Sequence, residues 1–83
     1  MILWLTRHQP ITIYDIFTEE PEPHFLDDGN IWFGMKEHNT KTHLWSGYHL
    51  EKLFPKLNIN KQGMKKIEIT EMNDGYFIRE LKL

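Results

Sequence analysis

Eighty-three residues with 12 carboxylates against 10 Lys and Arg, a net charge of −2 and no cysteine are expected to form one domain, 1–83, held by packing alone. A chain of that size buries about 60 to 65% of its unfolded surface and retains roughly 4 to 12 kcal/mol of net stability, which disfavours a deep substrate cavity. Disulfide staples and thiolate metal sites are excluded. With no leader-like start and no apolar stretch approaching about 18 residues, a soluble, unprocessed, cytoplasmic protein is expected.

Ile2-Leu3-Trp4-Leu5 is an apolar run suited to a buried strand, whose edge is open to pairing with a symmetry mate. Gln9-Pro10 breaks it, so Arg7 and His8 are expected to end an edge strand and point to water. Ile11 to Phe17 alternates Ile11 and Ile13 with Thr12 and Tyr14 and reads as a strand, while Ile13, Ile16 and Phe17 would also suit one helical turn. Glu19-Glu20-Pro21-Glu22-Pro23-His24-Phe25 predicts an extended, solvated loop of polyproline type, ending in turn chemistry at Asp27-Asp28-Gly29-Asn30. Ile31 to Met35 reads as a strand with Gly34 at a bulge. Glu37 to Lys41 then reads as the loop of a hairpin that returns through Thr42 to Trp45.

Ser46 suits a helix N-cap, and Leu50, Leu53 and Phe54 share one helical face before Pro55, predicting one short helix over about 47–54. From Lys66 onward, apolar residues alternate on both sides of Asn73-Asp74-Gly75, predicting a C-terminal hairpin over 66–82. The expected fold is α+β: a small antiparallel sheet or partly open barrel of five to six short strands with that helix laid against it. An all-β barrel in which the helix is a mere connection is the alternative. Trp4, Phe33, Phe54 and Phe77 are expected in the core.

Charge is segregated along the chain. Up to Met35 six carboxylates stand against Arg7 alone, net −5; from Lys36 to Lys66 seven lysines stand against Glu37 and Glu51, net +5. Whether this becomes a dipole in space depends on how the strands interleave.

Leu5-Thr6-Arg7-His8 after an apolar strand resembles the opening of histidine phosphatases, in which an Arg-His pair follows the first strand and the histidine becomes phosphorylated. Gln9-Pro10 stands where that motif has glycine, and the chain is too short for the second histidine and the arginines of that fold. The same strand followed by Thr-Arg-His also resembles the start of some small CRISPR-associated proteins, a likeness confined to the first ten residues. One functional alternative is therefore a phosphoryl or nucleotide hydrolase using Arg7 and His8, with His38 or His43 nearby. His38, His43 and His49, spaced by five and six, match no zinc motif and are expected in solvated loops. No metal or cofactor is expected.

Glu19, Glu20, Glu22, Asp27 and Asp28 lie in loops that do not provide the burial a catalytic acid needs. They suit a charged recognition segment instead. Lys36, Lys41, Trp45, Tyr48 and Lys52 interleave bases with aromatics, as single-stranded nucleic-acid grooves do, although no nucleic-acid-binding motif is present. Three Trp, three Tyr and five Phe exceed what so small a core can hide, and exposed aromatics beside charge are typical of interface hot spots. The leading expectation is a non-enzymatic protein-binding module, an inhibitor or adaptor that occupies a surface of another macromolecule, monomeric or homodimeric. Its contacts are assigned to Glu19, Glu20, Glu22, Trp32, Trp45 and Tyr48. The Lys-, Asn- and Ile-rich composition is compatible with a phage or mobile-element gene.

Overall fold

Alternation of apolar with polar residues drives much of the chain into strands. The computed structural model describes residues 1–8, 12–35, 41–55, 57, 59 and 63–82. Seven strands follow one another: β1 (Ile2–His8), β2 (Ile13–Phe17), β3 (Glu22–Phe25), β4 (Ile31–Gly34), β5 (His43–Gly47), β6 (Gly63–Met72) and β7 (Gly75–Leu81). Five of them form an antiparallel sheet in the order β5-β2-β1-β6-β7, and β3 pairs with β4 in a separate two-stranded sheet.

The fold is therefore nearly all-β, not α+β. Of the helix expected over 47–54, only a single 3-10 turn, Leu50–Lys52, is present, and His49 before it makes no side-chain capping bond. Ser46 and Gly47 have been taken into β5, where they pair with Asp15 and Tyr14. A two-turn helix is marginal by itself, and the sheet ladder outcompetes it. Nor, among the described residues, does the sheet close into a barrel, since β5 and β7 are both edges.

Other expectations change with the pairing. β1 is no edge strand: it lies at the centre, bonded to β2 on one side and β6 on the other. Among the described residues β4 pairs with β3 and β5 with β2, not with each other as expected; of the loop expected over Glu37 to Lys41, residues 37–40 lie outside the described residues, as do Lys36, Gln9, Pro10 and Ile11. The acidic Pro-containing stretch is extended, but Glu22–Phe25 is a paired strand and not a solvated loop. The C-terminal hairpin expected over 66–82 is present, pairing from Lys66 with Leu81 to a turn at Asn73-Asp74 with Gly75 at φ +144°; β6 itself starts earlier, at Gly63, where it pairs with β1.

Because side chains alternate across a strand, each register pair fixes a shared face. Leu3, Leu5 and Arg7 share one face of β1 with Ile16 of β2, Ile67 of β6 and, opposite Ile16, Trp45 of β5. The connection from β5 to β6 must cross β2 and β1. It does so over this face, inserting Leu50 and Ile59 into a core with Leu3, Leu5, Ile16 and Ile67, edged by Tyr14, Trp45, Phe54, Leu57, Ile69 and Ile78. Arg7 fastens that crossing, donating from Nη1 to the Ile59 carbonyl at 2.7 Å with its guanidinium 5.8 Å from the Tyr14 ring.

Of the four aromatics expected in the core, Phe33 is buried and Trp4 and Phe54 are half-buried, but Phe77 is 55% exposed. Strand β6 is ten residues long and outruns β1, so the far end of the β6–β7 hairpin projects. This contributes to an elongated molecule, 47 × 25 × 23 Å.

Candidate functional site

The opposite face of the sheet is polar where the first face is apolar. Thr6 and His8 of β1, Asp15 and Phe17 of β2 and His43 and Ser46 of β5 share it, since Thr6 lies opposite Asp15, Phe17 opposite His43 and Asp15 opposite Ser46. Here His8, buried, donates from Nε2 to Asp15 Oδ2 at 2.6 Å, and His43 donates from Nε2 to Oδ1 at 2.7 Å. The other nitrogen of His8 accepts the Phe33 backbone N–H at 3.2 Å, so the lone pair is on Nδ1 and the proton on Nε2. Burial alone would push the Asp15 carboxyl up; the hydrogen bonds from His8, Ser46 and His43 outweigh it and hold the group below its ordinary value.

This arrangement fastens the β3–β4 hairpin to the sheet. Phe33 turns its N–H away from β3 toward His8, so Pro23, which lies opposite it, is not asked for the donor it lacks. Trp32 packs beside His8 and His24, with ring centroids 5.8 and 5.4 Å apart. His43 stacks on Phe17 at 4.8 Å. A Cβ at Gly34 would come within 2.7 Å of the Trp32 ring, and one at Gly47 within 2.6 Å of the Trp45 ring. Each indole thus lies over the glycine two residues further along its own strand, and the repeated Trp-X-Gly spacing is a sequence signal for both contacts.

Chemically the cluster is closed. Both ring nitrogens of His8 and both carboxylate oxygens of Asp15 are engaged, which leaves His8 no lone pair with which to take a substrate proton. The imidazoles aim protons at the carboxylate and do not converge as ligands; among the described residues no group of three or more His, Cys, Asp or Glu could hold a metal ion. Arg7 and His8, neighbours on one strand, project from opposite faces. His8 does not point to water, and neither does Arg7, which is tied to the crossing segment. His43 is not a loop residue but sits half-buried on β5, while His38 lies outside the described residues and His49 is exposed beside Glu51.

The residues assigned to partner contact separate. Glu19, Glu20, Glu22 and Trp32 belong to the β3–β4 hairpin and its approach, all exposed; Tyr48 is exposed after β5; Trp45 packs on the apolar core on the other face of the sheet. Of the basic set, Lys41 and Lys52 are exposed, Lys36 lies outside the described residues, and Trp45 is covered too far to serve as an open stacking platform. Phe25 and Leu26, which sequence reasoning did not single out, stand at the far end of the hairpin, 77% and 47% exposed. The turn beyond them is ordered by Leu26 N–H to the Asn30 carbonyl, Gly29 N–H to the Leu26 carbonyl and Asn30 N–H to Asp28 Oδ1, with Gly29 at φ +86°. Comparison with protein-family models, curated proteins and solved structures finds no significant match. No helix among the described residues is long and apolar enough to cross a membrane.

Thr6 offers a first test of how this face is built. Its hydroxyl is buried with no hydrogen-bond partner among the described residues, and an unpaired buried hydroxyl costs on the order of 1 kcal/mol or more. Thr6→Val, which keeps the shape, is expected to stabilise the domain by about 1 kcal/mol in urea unfolding. A loss of stability of that size would show that the hydroxyl is partnered in solution.

Proposed function

We propose that this protein is a small non-enzymatic binding module, an inhibitor or adaptor, that engages a basic surface of another protein through its β3–β4 hairpin. The observation that supports this reading most is the hairpin itself. It is clamped at its base by His8 and Trp32, and its far end displays Phe25 and Leu26 on an ordered turn. Thr18 to Met35 contains five carboxylates and no Lys or Arg, and its strands Glu22–Phe25 and Ile31–Gly34 form a sheet of their own. Apolar anchors inside a charged rim are the usual composition of an interface hot spot, and a turn already ordered loses little entropy on docking. Trp32, 50% exposed, lies on the same hairpin. A cytoplasmic setting, read from the absence of cysteine, belongs to the same proposal.

The test is capture of partners from a lysate of the source cells, with and without nuclease, by the wild type and by a variant with Glu19, Glu20 and Glu22 each replaced by Gln. Three exposed charge pairs at roughly 0.5 kcal/mol each amount to about a tenfold loss of affinity, with an unchanged melting temperature and a weaker salt dependence. Phe25→Ser should weaken capture further. Recovery of nuclease-sensitive material alone, or undiminished capture by both variants, would sink the reading.

A further inference from the structure

Sheet edges expose unpaired amides and carbonyls and are usually guarded. Among the described residues, three of the four edges are. The β5 edge carries a register shift against β2 at Ile16/Phe17, β3 contains Pro23, and the outer side of β4 gives its Phe33 N–H to His8. The fourth, β7, runs seven residues without proline and without a shift of register against β6. Its two charges are already matched within the hairpin, Arg79 by Glu68 at 2.8 Å and Glu80 by Lys65 at 3.2 Å.

The direction of the free groups follows from the ladder. Ile69 donates its N–H to the Met1 carbonyl, and its own carbonyl accepts from the Met1 ammonium. Both Ile69 groups therefore face β1, so the Ile69–Ile78 pair is one without mutual hydrogen bonds. It follows that Ile78, and with it Tyr76 and Glu80 two residues either side, turns N–H and C=O outward.

We infer that β7 is a homodimerisation edge, pairing antiparallel with the β7 of a second copy about a two-fold axis at Ile78. In that register Ile78 faces the partner's Ile78, and Tyr76 faces the partner's Glu80. Each outward amide of Tyr76, Ile78 and Glu80 then meets an outward carbonyl, and the two five-stranded sheets become one. On the other face Phe77 lies opposite the partner's Arg79, an aromatic–guanidinium pair, while each Arg79 keeps its Glu68. The self-complementary order Tyr-Phe-Ile-Arg-Glu about Ile78 is what selects a second copy over an unrelated strand. A largely apolar groove lined by Phe54, Pro55, Leu57, Tyr76, Phe77, Ile78 and Glu80 runs beside the edge that the partner would join. Tyr76 and Phe77, 72% and 55% exposed in the single chain, become covered.

Sedimentation velocity between about 1 μM and 1 mM, combined with amide hydrogen exchange, tests this. Dimer should form within that range, with the Tyr76, Ile78 and Glu80 amides slowing as concentration rises while those of Phe77 and Arg79, bonded to β6, stay slow throughout. Phe77→Lys, an exposed change that sets like charges opposite one another, should raise the dissociation constant at least about tenfold and leave the thermal transition of the monomer in place. A monomer at every concentration, with those three amides exchanging fast, overturns the inference and leaves the edge to a strand from a different protein. A dimer in which they stay fast overturns it too, placing the contact elsewhere.

Discussion

Asp15→Asn should lower stability at neutral pH by about 3 kcal/mol, a large fraction of what so small a domain possesses. The carboxylate accepts from two imidazole N–H groups at once. An amide in its place has one acceptor, and its NH2 must face the other donor. With its oxygen toward His43 the amide forces His8 to move its proton to Nδ1, where it meets the Phe33 N–H and releases the hairpin. With its oxygen toward His8 the clamp is kept but the NH2 faces the His43 Nε2–H, and in either orientation one of the two bonds to the carboxylate is lost. Acid should reproduce the effect. The Asp15 pKa is lowered in the folded state, so its contribution is fully present above the unfolded carboxylate value of about 3.9 and disappears as pH falls through the lower folded value. Urea unfolding of both proteins should therefore show a gap at neutral pH that begins to close below about pH 4, where the unfolded carboxylate takes up its proton. Equal stabilities at neutral pH would show that the cluster is not what holds this face together.

Leu5→Ala acts on the other face and should be comparable, about 3 to 4 kcal/mol, or a melting temperature lower by roughly 15 °C. Leu5 is fully buried between Ile16 and Lys65 in register and packs in the cluster with Ile67 and Leu50. The surrounding strands are fixed by ladders on both sides, so the cavity cannot collapse. Phe77→Ala, by contrast, should move the stability of the monomer by well under 1 kcal/mol, because in the single chain the ring is mostly in water. Similar losses at the two positions would mean that the core is not where it has been placed here.

Local patterns were legible in the sequence, and long-range pairing was not. The C-terminal hairpin could be read because both of its strands and its Asn73-Asp74-Gly75 turn lie within twenty residues and repeat with period two. Leu50, Leu53 and Phe54 have true helical spacing, but periodicity cannot reveal that β2 would claim Ser46 and Gly47. His8 looked like a strand end in solvent because its shielding comes from Phe33, 25 residues away, and because the second neighbour of β1 lies at residues 63–68. The cluster of His8, Asp15 and His43 carried no motif. Its members come from three strands and meet diagonally across the ladders, so only the register reveals them. Phe25 and Leu26 carry no signal of their own, because they follow two prolines that mark the stretch as an extended loop and share no periodicity with a neighbouring element.

The strand order has a consequence for how the chain acquires its fold during synthesis. Strand β1 is made before its neighbour β6, and the contact between them closes a loop in which Ile2 meets Glu68. Until the ribosome releases residues beyond Ile69, Leu3 and Leu5 can shelter only against β2, and the crossing segment that covers them has no second anchor. Such non-local closure slows folding and leaves an apolar strand open to other chains in the interval. A nascent chain arrested before Gly63 should therefore remain sensitive to protease and bind chaperones, with protection arriving in one step once β6 has emerged.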